Sequence, residues 1–144
     1  MKIAIINGPN INLQGYREVE YYGNSTYAQL INEVKNHAKQ NKLYIRWYQS
    51  NHEGQLVDII QGCRDNYDAI IINAAAYTHT SIAILDALLA VGLPTVEVHL
   101  SDLSQRENFR KVSYLRKACL TNFQGEGARS YFKAMDYLIE ELSK

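Results

Sequence analysis

The stretch Ala69-Ile70-Ile71-Ile72-Asn73 decides the fold of this chain of 144 residues. It is a short apolar run, rich in β-branched residues and without polar alternation, which is typical of a strand buried on both faces. Such strands lie in the middle of a parallel sheet with helices packed on both sides. We therefore predict a central strand here, with the rest of the chain arranged around it.

Polar side chains follow this strand, and a helix follows them. The loop carries Asn73, Thr78 and His79, and apolar periodicity then predicts a helix from Ile82 to Val91. Ligands of open α/β sheets bind just beyond the carboxyl ends of the strands. A helix that begins there also presents free N–H groups to an anion. We therefore expect a binding site at this loop.

Apolar runs and capping signals predict alternating strands and helices along the chain. The expected strands are residues 2–6, 43–49, 69–73, 95–99 and 118–123, and the expected long helices begin near residues 26, 54, 82 and 128. Alternation of this kind gives a parallel sheet with right-handed crossovers. Five strands in this length favour a flavodoxin-like three-layer α/β sandwich of strand order 2-1-3-4-5, in one domain over residues 1–144. The second strand is less apolar than the others, so we expect it at an edge.

Thr26-Tyr27-Ala28-Gln29 resembles a capping box at the start of the first long helix, and a second capping box, Ser104-Gln105-Arg106-Glu107, predicts a short helix after the fourth strand. Arg106 and Arg110 would lie four residues apart on it and share a face. That face is either a solvated surface pair or a cationic edge for an anionic or polyhydroxy substrate.

The composition excludes several classes of partner. Fifteen Lys and Arg balance fifteen Asp and Glu, so we expect no broad basic face and no nucleic-acid partner. The apolar runs are too short to span a bilayer, so we expect no membrane partner. Met1-Lys2 directly precedes a strand without a signal-peptide pattern. Cys63 and Cys119 are expected to be free thiols, which fits a cytoplasmic location.

Side chains capable of chemistry converge on one edge of the predicted sheet. Asn10 follows the first strand, Asn73 and His79 follow the third, and His99 ends the fourth. Glu97 lies on the same strand face as His99, where its carboxylate could fix the imidazole tautomer and raise its basicity. Asn10 and Asn73 could instead serve only the backbone of turns.

A metal site is the competing interpretation of the two histidines, His79 and His99. It needs a third ligand, for which Glu97 is the obvious candidate, and the usual ligand spacing is missing. Nucleotide binding is less favoured, because the sequence has neither G-x-G-x-x-G after the first strand nor a Walker lysine. The turn Asn7-Gly8-Pro9-Asn10 is not a hydroxyl-rich phosphate loop either. We expect neither a metal nor a cofactor.

Several separate motifs occur in a set order along nearly the whole chain. They are Asn7-Gly8-Pro9-Asn10 with Asn12-Leu13, Arg17-Glu18 with Tyr22-Gly23, Gln49-Ser50-Asn51-His52-Glu53-Gly54, Asn73 with Tyr77-Thr78-His79-Thr80-Ser81, Glu97-Val98-His99-Leu100-Ser101, and Arg106-Glu107 with Phe109-Arg110. In this order they resemble the type II 3-dehydroquinate dehydratases. The resemblance implies a flavodoxin-like fold and a hydro-lyase that converts 3-dehydroquinate to 3-dehydroshikimate through an enolate, in the shikimate or quinate pathway. It also implies that no cofactor is used and that the assembly is a dodecamer built from trimers.

The resemblance also assigns the catalytic roles. Tyr22 would be the base that removes a C2 proton from 3-dehydroquinate, and Arg17 on the same loop would favour its tyrosinate. Asn10 would hold a water that stabilises the enolate oxygen. His99, oriented by Glu97, would protonate the leaving C1 hydroxyl.

The remaining roles implied by the resemblance are in substrate binding. Asn73 would contact the C1 end of the substrate, and the N–H groups of Leu100 and Ser101 would take its carboxylate. His79 and Arg110 would bind the ring hydroxyls.

Two further implications concern the assembly and the loop. Asp86 would reach the site of a neighbouring subunit. Val19, Gln14 and Tyr16 depart from the residues usual in the family's loop, and these departures bear on how the loop closes rather than on its chemistry.

The residue chemistry agrees with this assignment. Removal of a proton beside a ketone needs a strong base and a stabilised enolate. A tyrosine, with an ordinary pKa of about 10, can act only if a cation lowers that pKa, and Arg17 lies five residues from Tyr22. The alternative is a non-catalytic flavodoxin-like binding module. A receiver module would need paired acidic residues after the first strand, where this chain has Asn and Pro.

Overall fold

Five parallel strands form one sheet in the part of the chain that the computed structural model describes, residues 1–16 and 25–144. Their order is β2-β1-β3-β4-β5, and each neighbouring pair is parallel. The strands are β1 (Lys2–Asn7), β2 (Tyr44–Gln49), β3 (Ala69–Asn73), β4 (Thr95–His99) and β5 (Thr121–Gln124). The predicted flavodoxin-like order is confirmed, with β2 at an edge and β3 in the centre.

Four long helices of the described chain cover the two faces of the sheet. They are α1 (Tyr27–Gln40), α2 (Glu53–Gly62), α3 (Ile82–Val91) and α4 (Ala128–Leu142). None of them has both the length and the apolar character needed to cross a membrane.

Local sequence signals account for where α1 and α3 begin and end. The Thr26 hydroxyl accepts from the Gln29 N–H at 3.1 Å, and the Gln29 side chain accepts from the Thr26 N–H at 2.8 Å, so the predicted capping box is present. Ser81 is the N-cap of α3, and its hydroxyl accepts from the Ile84 N–H at 2.9 Å. The helix ends where Gly92 adopts a φ of 69°, a left-handed conformation that glycine takes without strain.

Alternate residues of each strand face opposite layers of helices. Ile3 and Ile5 pack with α1 and α4, whereas Ala4 and Ile6 pack with α2 and α3. All residues of β3 and β4 are buried, as predicted for the central strand. Each fully buried isoleucine contributes roughly 1.5–3 kcal/mol. This two-sided core holds the strand ends that carry the site.

The prediction of a short helix after β4 is wrong. Leu103–Gln105 and Asn108–Arg110 are separate 3₁₀ turns, and Arg106 between them is extended, with φ −100° and ψ 179°. The cause is Asp102, whose carboxylate accepts from the N–H and the hydroxyl of Ser104 at 2.9 and 2.7 Å and so caps a single turn. Arg106 and Arg110 therefore do not share a helix face.

The fifth strand begins later than predicted. Residues Leu115–Ala118 form a 3₁₀ turn whose first residue, Leu115, is fully buried in the layer of α2 and α3. Pairing with β4 starts only when the Leu120 N–H donates to the Thr95 carbonyl at 2.8 Å. Burial of the turn against the helices overrides the strand propensity of residues 118–120.

Candidate active site

A cavity of about 120 Å³ lies where β1, β3 and β4 end. The carboxyl ends of parallel strands meet at one edge of a sheet, so loops distant in sequence converge there. Seven of the predicted site residues line this cavity, namely Asn10, Asn73, His79, His99, Leu100, Ser101 and Arg110.

Two of the remaining predicted site residues, Glu97 and Asp86, do not line the cavity. Glu97 lies behind His99 on β4, fully buried. Asp86 is an exposed residue of α3 and is not part of the cavity wall. Arg17 and Tyr22 lie outside the described residues. The roles of these four residues stay predictions.

Close contact between the loops after β1 and β3 forms one wall of the cavity. The Gly8 N–H donates to the Asn73 carbonyl at 2.7 Å. A Cβ added at Gly8 would lie 2.3 Å from the carbonyl oxygen of Ala74, so only glycine allows this approach. Asn10 then adopts a φ of 70°, which asparagine tolerates, and its N–H donates to Asn51 Oδ1 at 3.0 Å. Its side chain is thereby held at the exposed rim.

A buried pair of carboxylate and imidazole ends β4. His99 Nε2 is hydrogen-bonded to Glu97 Oε2, and both side chains are almost wholly buried. The two residues meet because positions i and i+2 of a strand share a face. With Nε2 engaged, Nδ1 is the ring nitrogen of His99 that is left for a ligand in the cavity.

Two more side chains hold the second oxygen of Glu97. Ser113 Oγ donates to Oε1 at 3.0 Å, and Arg116 Nε lies 3.6 Å from the same oxygen. Burial alone would raise the pKa of Glu97, but the hydrogen bond and charge of His99, with Ser113 and Arg116, outweigh it and lower that pKa. Glu97 is therefore a carboxylate at neutral pH, although it is buried.

His79 offers a hydrogen-bond acceptor to the cavity. Its Nδ1 lies 2.6 Å from the carbonyl oxygen of Val112, which can only accept, so Nδ1 carries the proton. Burial lowers the pKa of His79; the Val112 bond opposes this, and the positive charges of His99 and Arg110 reinforce it. The ring is therefore neutral at pH 7, and Nε2 is a free acceptor of the kind that a hydroxyl group satisfies.

A cationic group, Arg110, also lines the cavity. Arg110 Nε lies 2.9 Å from Glu107 Oε2, and the guanidinium carbon lies 5.2 Å from the centre of the Phe109 ring. The buried Arg106 donates from Nη1 to Ser101 Oγ at 3.3 Å, next to the backbone that follows β4. Positive charge therefore adjoins the residues predicted to take a carboxylate.

The geometry gives no support to the metal site considered from the sequence. Within residues 1–16 and 25–144, no three or more His, Cys, Asp or Glu side chains are grouped so that they could hold a metal ion. His79 and His99 each already use one ring nitrogen, on the Val112 carbonyl and on Glu97 respectively.

Comparison with known proteins identifies the family. The family model described as dehydroquinase class II matches residues 1–139. The chain belongs to the class II dehydroquinase family. The 3-dehydroquinate dehydratase of Sulfurimonas denitrificans is 48% identical over 144 residues, which cover 100% of this chain and 90% of that protein. The 3-dehydroquinate dehydratase of Sulfurovum sp. (strain NBC37-1) is 49% identical over 144 residues, covering 100% and 89%.

A solved structure of the same family has the same fold. The crystal structure of the type II dehydroquinase from Butyrivibrio crossotus matches this chain with a TM-score of 0.94 at 43% identity, covering 96% of this chain and 97% of that one. The family predicted from the motifs is confirmed.

Sequence reasoning on this class II dehydroquinase missed three residues that contact predicted site residues. Ser113 and Arg116 bind Glu97, and Tyr131 donates to Asn7 and accepts from Asn73. No spacing signal points to Ser113 or Arg116, because neither lies in a helix or strand that the sequence predicts. Tyr131 lies on the apolar face of α4, where the helical pattern indicates only a core residue.

Proposed function

We propose that this chain catalyses the dehydration of 3-dehydroquinate, the activity for which its class II dehydroquinase relatives are named. The observation that carries the proposal is the buried Glu97–His99 pair at the end of β4, beside a cavity lined by hydrogen-bonding groups. Elimination of water needs a positioned acid for the leaving hydroxyl, and this pair supplies one.

The elimination is proposed to be stepwise. A base takes the C2 proton, and the electron pair of that C–H bond moves onto the C3 carbonyl oxygen to give an enolate. The enolate then collapses, the C1–O bond breaks, and the hydroxyl leaves as water with the proton of His99. Tyr22 is the proposed base, Arg17 is proposed to favour its tyrosinate, and Asn10 is proposed to hold a water at the enolate oxygen. No cofactor enters these steps.

His99 suits the acid's role because of the carboxylate behind it. An imidazolium inside a buried site needs a compensating charge, and the ionised Glu97 provides that charge through Nε2. Glu97 also fixes the ring so that Nδ1 is the nitrogen available to the substrate. The proton donor is thus held in one orientation before the substrate binds.

The polar groups of the cavity complement a polyhydroxy acid. His79 presents an acceptor and Arg110 presents donors, and a hydroxyl group satisfies both kinds of partner. The N–H groups of Leu100 and Ser101 are proposed to bind the substrate carboxylate, and Asn73 to contact the C1 end.

We also propose that the chain assembles into a dodecamer built from trimers. In this assembly Asp86 completes the active site of a neighbouring subunit. The support is an exposed stripe on α3, where Ile82 and Leu89 are 51% and 54% exposed and flank Asp86 at helical spacing. Large exposed apolar side chains beside one charge are typical of a surface that a second subunit covers. A cytoplasmic location belongs to the same proposal.

The function is tested by an ultraviolet assay for the conjugated enone product. The purified chain is mixed with 3-dehydroquinate, with and without prior exhaustive treatment with a chelator. We expect enone absorbance to rise at the same rate in both samples. Absence of product would overturn the proposed activity, and a chelator-dependent loss restored by zinc would overturn the cofactor-free mechanism.

A further inference from the structure

Tyr131 joins the side chains of Asn7 and Asn73, of which Asn73 lines the cavity. The two asparagines end neighbouring strands and are register partners in the ladder of β1 and β3. The Tyr131 hydroxyl donates to Asn7 Oδ1 at 2.6 Å and accepts from Asn73 Nδ2 at 3.0 Å. All three residues are at most 2% exposed. Helix α4 thus brings a hydroxyl from 58 residues away to a predicted substrate contact.

The Tyr48 carbonyl and the Ala75 N–H, at the two ends of this hydrogen-bonded series, fix the direction of every bond in it. Asn7 Nδ2 donates to the Tyr48 carbonyl at 3.0 Å, so the oxygen of Asn7 must face Tyr131. The Ala75 N–H donates to Asn73 Oδ1 at 3.2 Å, so the amide nitrogen of Asn73 must face Tyr131. The hydroxyl therefore gives its only proton to Asn7 and accepts from Asn73.

A reversed Asn73 carboxamide would break two of these bonds. Its oxygen would face a hydroxyl oxygen whose proton is already committed to Asn7, and its NH₂ group would face the Ala75 N–H. Two buried polar groups would then lack partners, and the cost of leaving them unpaired selects one orientation. Burial also raises the pKa of Tyr131, and the bond from Asn73 only partly opposes that, so the hydroxyl keeps its proton.

We propose that Tyr131 is a positioning residue that fixes which end of the Asn73 carboxamide faces the substrate. The second N–H and the second oxygen lone pair of Asn73 are then held in constant places on the cavity wall. Without the hydroxyl only the bond from the Ala75 N–H selects the orientation, so the carboxamide turns over more readily and exchanges donor for acceptor at the C1 end. This inference rests on the proposed dehydration, in which Asn73 contacts the substrate.

The test is a double-mutant cycle between Tyr131→Phe and Asn73→Ala. Phenylalanine keeps the ring and removes only the hydroxyl. We expect Tyr131→Phe to lower kcat/KM by about 10–100-fold, since a small misplacement of a substrate-positioning group has effects of that size. In the Asn73→Ala background the same substitution should change kcat/KM by less than twofold. An equal loss in both backgrounds, or no loss in the single variant, would overturn the proposal.

Tyr67→Phe is the matched control. It removes a hydroxyl that pairs with the Tyr48 hydroxyl at 2.8 Å, in a cleft separate from the cavity. It should leave kcat/KM unchanged. All variants are assayed under conditions in which circular dichroism shows that they are folded. If Tyr131→Phe does not fold, Asn7→Ala tests the same claim, because it frees the hydroxyl proton to meet a reversed carboxamide and should also lower kcat/KM.

A readout besides activity separates this inference from the proposed function. The side-chain amide signals of Asn73, assigned by their loss in Asn73→Ala, should shift or broaden in ¹⁵N spectra of Tyr131→Phe and stay unchanged in Tyr67→Phe. An inactive wild-type chain with this spectral change would overturn the dehydration but retain the positioning of Asn73. Unchanged amide signals in Tyr131→Phe would overturn the positioning role itself.

Discussion

Glu97 and His99 are hydrogen-bonded inside the protein, with the Glu97 side chain fully buried and that of His99 5% exposed. A buried carboxylate without partners is strongly destabilising. Here both oxygens have partners, since His99 holds one of them and Ser113 and Arg116 hold the other. The acid of the proposed reaction is therefore part of a network that also affects folding.

The first prediction concerns the dependence of stability on pH. The folded pKa of Glu97 is lowered, whereas an unfolded glutamate titrates near about 4.3. The stabilisation is complete above the unfolded pKa and is lost as the pH falls through the lower folded pKa. We expect the thermal midpoint of the wild type to fall as the pH drops below about 5, and that of Glu97→Gln to fall less steeply. If the thermal midpoints of the two proteins, measured at one protein concentration, fell equally steeply with pH, Glu97 would not be the origin of the pH dependence.

Arg116 should tune the pH profile of catalysis. Its guanidinium and a protonated His99 both interact with the negative charge of Glu97. Removal of the guanidinium therefore lets Glu97 stabilise the His99 imidazolium more strongly. Arg116→Met should therefore move the alkaline limb of the kcat profile to higher pH. Lys117→Met is the control, because it removes the same charge one residue further along on a side chain that lines a different cleft. A shift of the limb in both variants, or in neither, would refute a specific effect of Arg116.

The base is tested by substitutions at Tyr21, Tyr22 and Arg17. Tyr22→Phe keeps the ring but removes the ionisable oxygen, so it should bind substrate yet lose nearly all kcat. Arg17→Ala should also be severely slowed, because an adjacent cation lowers the pKa of a phenol. The two losses should be far from additive, since the residues act as one unit. A fully active Tyr22→Phe enzyme, or a Tyr21→Phe enzyme without activity, would reassign the base.

Asp86 tests the shared site. It lies on the exposed stripe of α3 and outside its own cavity, so Asp86→Ala should raise KM or weaken assembly while the monomer stays folded. Asp58→Ala, at an exposed position of α2, should change neither. Light scattering and steady-state kinetics measure the two effects. Full activity of a dilute, demonstrably monomeric sample would refute the proposal.

The fold could be predicted because its signals are local. Burial on both faces requires an apolar run such as residues 69–73, and helix ends need caps such as Thr26 and Ser81. The cavity wall could be predicted from topology, because strand ends that carry Asn73 and His99 must converge in a parallel sheet.

Contacts between distant segments could not be predicted in this way. The Tyr131 hydroxyl reaches Asn7 across 124 residues, and its position on an amphipathic helix gives no sign of a polar partner. The helix predicted from the capping box at Ser104 does not form, because the N–H and the hydroxyl of Ser104 donate to the carboxylate of Asp102, two residues earlier. The sequence contains both options there, and only the folded geometry selects between them.

The proposed reaction is tested most directly by kcat for 3-dehydroquinate in the His99→Ala variant. A positioned general acid contributes about 10²–10⁴-fold to the rate. His52→Ala is the control, since that histidine is exposed before α2 and makes no side-chain capping bond. We predict that His99→Ala lowers kcat by about 10²–10⁴-fold with little change in KM, while His52→Ala keeps the wild-type kcat. If the His99→Ala enzyme keeps a near-normal kcat and only its KM rises, His99 is a binding residue, which would contradict the mechanism.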